Sequence, residues 1–253
     1  GTTLHQLARK AGHPEVVSQL ASSAQRLGDR HLIESLASRG EFADDPFIPL
    51  QLWWAMEALI TRHPDRAREL LSYAGFWDTS LFEKILRERI GRRYMAERSP
   101  ESLRMCAWLL EKAAGTKHLD ALIRGMEQAL EGTSLDPVPA ELDAAVANIW
   151  NNHRVTDDVI RLSLRLKSPQ ALAAARPLLA DRKTPVTQRL EFIKALGELG
   201  DAPSERIFLS LFREKTGGNE FGVTPYTKVG WHERSHTRVA QCHLVFIYLF
   251  IFL

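Results

Sequence analysis

The amino-acid sequence predicts an all-α chain of short helices stacked as hairpins, an α-solenoid. Three observations predict it. Prolines recur at the starts of amphipathic runs, the intervals between them fall near one or two multiples of a common step, and apolar residues within the runs repeat with helical spacing.

Pro14, Pro64, Pro100, Pro169, Pro185 and Pro203 each open such a run, and Asp45 before Pro46 has the same form. Proline suits the first helical turn, where its missing N–H was unpaired anyway and its fixed φ is already helical. Ser99, Ser168 and Thr184 stand just before three of these prolines, where a hydroxyl can accept from first-turn amides. Pro64 to Pro100 covers 36 residues, Pro100 to Pro169 covers 69, and Pro169, Pro185 and Pro203 are separated by steps of 16 and 18. One helix plus one turn fills the short step and a helical hairpin fills the longer one. Periods of roughly 34 to 47 residues mark helical-pair repeats of the HEAT and armadillo kind. Pro14 to Pro64, at 50 residues, breaks the register.

Within the runs the period is helical. Leu103, Cys106, Ala107 and Leu110 follow it, as do Leu119, Leu122, Ile123, Met126, Ala129 and Leu130, and then Leu142, Ala145, Val146, Ile149 and Trp150. Leu162, Leu164 and Leu166 alternate like a strand. They lack β-branching, and Thr156-Asp157-Asp158 before them is a helix start, so this segment is expected to be helical. Residues 1–215 are thus read as one HEAT-like helical repeat domain. Residues 216–253 lose the pattern: Gly217, Gly218, Gly222 and Gly230 cluster, and the chain closes on the apolar run Val245 to Leu253. That run is far short of the ~20 residues of a bilayer span. It is read as an atypical, frameshift-derived tail, with a truncated membrane helix or a buried strand as the other readings.

Composition excludes little. The chain of 253 residues carries 33 Lys and Arg against 31 Asp and Glu, a formal charge of +2 that demands neither nucleic acid nor a membrane surface. Two cysteines, Cys106 and Cys242, cannot build a disulfide framework. Gly1 stands where a start methionine would, and no basic segment precedes an apolar one, so the N-terminus is read as an edge within a longer protein without a visible signal peptide.

The stretch Asp44-Asp45-Pro46-Phe47-Ile48-Pro49-Leu50-Gln51-Leu52-Trp53-Trp54-Ala55-Met56-Glu57 resembles a segment of large planctomycete proteins described as membrane-bound dehydrogenases or haem-binding proteins. Arg92-Arg93-Tyr94 and Leu130-Glu131-Gly132 are similar to the same region. The resemblance covers roughly residues 3 to 214, the HEAT-like middle of proteins that carry a β-propeller before it and a c-type cytochrome domain after it. It implies a spacer or docking surface inside a larger haem-linked protein, outside the cytoplasm. The sequence has no CxxCH, so any c-type haem belongs to the parent protein and no cofactor is expected in this chain.

Four groups of residues are candidate sites. Trp53 and Trp54 share an apolar helix with Leu50, Leu52, Met56 and Leu59; adjacent positions point about a quarter-turn apart, so at least one is expected in the core and the other as a partner anchor. Asp44 and Asp45 are better explained as helix caps than as a metal or acid–base pair. Arg87, Arg89, Arg92, Arg93 and Arg98 surround Tyr94, but Glu83, Glu88 and Glu97 interleave with them, which favours a solvated helix face over a nucleic-acid surface. His232-Glu233-Arg234-Ser235-His236 matches H-E-x-x-H, the spacing that lets two histidines hold zinc beside a glutamate base, with Cys242 at the third-ligand position. Val239 stands where the longer pattern has glycine, and the segment lies in the atypical tail. The expected function is therefore a non-catalytic scaffold whose partner is another protein or a neighbouring domain, with neither a nucleic-acid ligand nor a membrane span. A HEAT-like nucleic-acid-binding protein using the arginines, and a zinc hydrolase using His232, Glu233 and His236, are the alternatives.

Overall fold

The computed structural model describes residues 4–181 and 183–215, and these are all-α, with no strand among them. The 216–253 tail and its apolar end lie outside the described residues. The chain divides into two compact units. The first holds residues 1–129 and 139–154, with α1 (Leu4–Lys10), α2 (Pro14–Leu27), α3 (Arg30–Ala37), α4 (Ile48–Arg62), α5 (Pro64–Ser72), α6 (Ala74–Trp77), α7 (Arg87–Glu97), α8 (Pro100–Ala113), α9 (Leu119–Ala129) and α10 (Ala140–Asn152). The second holds residues 130–138 and those from 155 onward, with α11 (Asp157–Arg165), α12 (Pro169–Ala180), α13 (Val186–Leu199) and α14 (Ala202–Lys215).

Most proline starts stand as expected. Ser99 Oγ accepts from Ser102 N at 3.1 Å and opens α8, and Ser168 Oγ accepts more weakly from Ala171 N at 3.5 Å at the head of α12. Two starts differ. Thr184 makes no capping bond: Pro185 itself occupies the cap position of α13, and Thr184 is buried. Pro46 stays outside its helix, because Asp45 Oδ1 accepts from both Phe47 N and Ile48 N, at 2.8 and 2.9 Å, which moves the start of α4 to Ile48. Pro49 then fills the first-turn position that Pro46 was expected to take.

In the first unit each of several helices packs on the next and on the next but one: α1 on α3, α2 on α4, α3 on α5, α7 on α9, and α8 on α10. The approach of α7 to α9 is the tightest. A Cβ at Gly125 would stand 1.9 Å from the Glu88 carbonyl oxygen, and one at Gly91 would stand 2.5 Å from that of Leu122. The two helices therefore touch backbone to backbone, each through a glycine, and Ile90 and Met95 of α7 and Leu122 and Met126 of α9 are fully buried. Burying side chains of that size contributes about 2 kcal/mol each. Arg39 ties off α1 from a distance: its guanidinium donates to the carbonyls of Ala8 and Ala11, two acceptors that the end of a short helix leaves without amide partners.

In the second unit α11 packs on α12 and α13, and α12 packs on α14. The alternation around Leu162, Leu164 and Leu166 has a simple explanation here. Ser163 and Arg165 between them are also buried, at 0% and 2% exposure, so the 162–166 end of α11 is enclosed, while Asp157 and Arg161 nearer its start stay partly exposed. The Arg165 guanidinium pairs with Glu198 of α13. Glu198 also accepts from Gly132 N at 3.1 Å, and Arg165 O accepts from Leu135 N at 3.0 Å, so this one pair organises α11, α13 and the 130–138 segment together. Arg176 and Asp201 form a second bidentate pair, at 3.0 and 2.6 Å. Burial alone would raise the Asp201 carboxyl, but Arg176 and Ser204 outweigh it and hold it below the usual range.

Candidate functional site

The two adjacent tryptophans of α4 separate cleanly. Trp53 is 7% exposed and lies under the Arg89 guanidinium, 5.8 Å from ring centre to Cζ. Trp54 is 46% exposed, and Phe47, the cap residue just before α4, is 68% exposed. The surrounding α4 residues Leu52, Ala55, Met56 and Leu59 are buried.

The arginine-rich segment is largely occupied. Arg87 donates to Lys117 O at 3.3 Å, Arg89 covers Trp53, and Arg93 donates to Glu97 at 2.8 Å in the i,i+4 pairing that the interleaved glutamates suggested. Arg93 Nε also lies 3.6 Å from Glu57. Asp44 pairs with Lys84, and Asp45 caps α4. His232, Glu233 and His236 lie outside the described residues, as does Cys242.

A group of residues that sequence reasoning did not single out comes together around His118. Asp78 ends α6, and Glu83 lies on a π-helical turn, Phe82–Leu86, closed by Arg87 N bonding to Phe82 O and running straight into α7. His118 precedes α9, where Thr116 Oγ1 donates to Ala113 O at 2.8 Å and accepts from His118 N at 3.2 Å, fixing the turn. The imidazole is 5% exposed and is held edge-on by Trp77 and Phe82, with ring centres at 5.6 and 5.9 Å. Trp77 is anchored in turn by its indole N–H, which donates to Leu71 O at 2.8 Å.

One potential ligand atom each from Asp78, Glu83 and His118 lies within 4.8 Å of the other two. His118 Nε2 faces Asp78 Oδ1 at 3.6 Å, too long for a hydrogen bond, and its Nδ1 is buried without a hydrogen-bond partner. Burial, together with the Arg87 and Lys117 cations, lowers the His118 pKa against the opposing pull of the two carboxylates. Lys117 contacts Glu83 and stands 3.4 Å from Asp78; the Glu83 hydrogen bond, aided by Asp78, raises its ammonium pKa. A cleft of about 260 Å³ opens beside the group, walled by Leu71, Ala74 and Trp77 and edged by Asp78, Lys117 and His118. The arrangement sets one enclosed imidazole, its Nδ1 unbonded, beside an exposed Asp78 and a half-buried Glu83.

No spacing signal marked this group. Asp78, Glu83 and His118 come from three separate turns, and the 34 residues between Glu83 and His118 follow no ligand pattern. Among the described residues no helix is long and apolar enough to cross a membrane. Compared with known proteins, the chain matches no protein-family model, no curated protein and no solved structure.

Proposed function

We propose that this chain is a non-catalytic, α-helical interaction module, built of stacked HEAT-like hairpins and working as the middle part of a larger haem-linked protein. The observation that carries the reading is the division of labour at α4: Trp53 is spent on the core, while Trp54 and the cap residue Phe47 are left exposed. An outward tryptophan costs its helix solvation without adding to the core, and tryptophan is the residue most enriched where partners bind. Packing of most helices on the next, and of several on the next but one, supports the stacked-hairpin architecture, since such stacks are held by contacts between neighbouring repeats. The haem link and a site outside the cytoplasm rest on the resemblance of the Asp44 to Glu57 segment to the planctomycete proteins.

The partner in this reading is a neighbouring domain of the same polypeptide. Expressing the segments encoded on either side and measuring their binding to this chain tests it. Trp54→Ala is expected to weaken that binding by about 30-fold, the effect of a 2 kcal/mol hot spot, and to leave the melting temperature unchanged. Binding that is indifferent to Trp54 and Phe47, or no binding to either neighbour, would remove the proposal.

A further inference from the structure

We propose that Asp78, Glu83 and His118 form a three-ligand site for a divalent transition-metal ion of the zinc class, at which the metal competes with the Lys117 ammonium for the two carboxylates. The donor set of one imidazole and two carboxylates suits a borderline ion such as zinc or cobalt. Tetrahedral coordination at zinc-like bond lengths separates ligand atoms by about 3.3 Å, and His118 Nε2 already stands 3.6 Å from Asp78 Oδ1. Closing the third side needs only carboxylate movement, because Asp78 is two-thirds exposed and ends its helix.

The ion pairs alone do not account for the group. Lys117 pairs with both Asp78 and Glu83 but carries one charge against their two, and an imidazole is buried beside them between Trp77 and Phe82 with Nδ1 unbonded and Nε2 3.6 Å from Asp78. Nε2 faces Asp78 Oδ1 beyond hydrogen-bond reach, and a metal there gives that nitrogen a partner between the two carboxylates, Nδ1 staying unbonded. Lys117 is 60% exposed, so its ammonium can leave for water when a doubly charged ion arrives. The fourth coordination position faces the cleft walled by Leu71, Ala74 and Trp77, which has room for a water or a small anion. That is the open geometry of a zinc site able to bind a further ligand.

Cobalt(II) titration of the full chain, followed by the visible bands of tetrahedral cobalt, is the test. It is run in a His232→Ala/His236→Ala background so that the H-E-x-x-H segment contributes nothing. One cobalt per chain is expected. Asp78→Asn and Glu83→Gln should each weaken binding by about tenfold or more without lowering the melting temperature, and Lys117→Met should tighten it by about tenfold. Absence of saturable binding overturns the site, as does equal affinity in Asp78→Asn. Binding present in the original chain but lost in the His232→Ala/His236→Ala background overturns it too, and transfers the metal to the H-E-x-x-H segment.

Discussion

Gly125→Ala is expected to lower the melting temperature of the first unit by about 10 °C. The new methyl would sit 1.9 Å from the Glu88 carbonyl oxygen and 3.0 Å from Arg92 N, both backbone atoms that cannot swing aside as a side chain would. α7 and α9 must separate, and the apolar contacts flanking the crossing are lost with the movement. Overpacking of this kind costs about 3 kcal/mol, which at this unit's size converts to a shift of that order. Gly12→Ala is the control: nothing lies within 4 Å of its Cβ, so it should melt within about a degree of the parent. Equal melting of the two variants would mean that the α7–α9 contact is looser than the backbone approach requires.

The second large effect belongs to the other unit. Arg165→Ala is expected to cost about 3–5 kcal/mol, because it strands Glu198 next to a cavity where a buried guanidinium stood. Most of that cost is the unpaired partner and the lost packing rather than the worth of the pair. Arg165→Met combined with Glu198→Gln should therefore recover a good part of it: methionine refills the volume, and the glutamine oxygen still accepts from Gly132 N. Chemical denaturation of the three proteins separates these contributions. A loss below about 1 kcal/mol for Arg165→Ala would show that solvent reaches this charge.

Helix boundaries were the most legible part of the sequence, since Ser99-Pro100 and Ser168-Pro169 act locally and need no tertiary partner. The exceptions are also local. A competing Asp45 cap overrode Pro46, because the carboxylate bonded the amides of Phe47 and Ile48. What stayed hidden is what depends on distance along the chain. A helical glycine reads as a weak point, and only the meeting of Gly91 with Leu122 and of Gly125 with Glu88 turns two weak points into the closest helix contact of the first unit. The Trp53-Trp54 pair was half legible, because a quarter-turn offset says that the two rings differ but not which one Arg89 covers. The His118 group was not legible at all, since its members share neither a helix nor a spacing.

Cys106 gives the first unit an internal clock. Its side chain in α8 is completely enclosed and unpaired, and burial pushes the thiol far above its ordinary pKa, so alkylating reagents meet no reactive sulfur while the helices stay packed. Modification at that one position then proceeds only through molecules in which α8 has come loose. Its rate counts how often they do, under native conditions and without heat or denaturant.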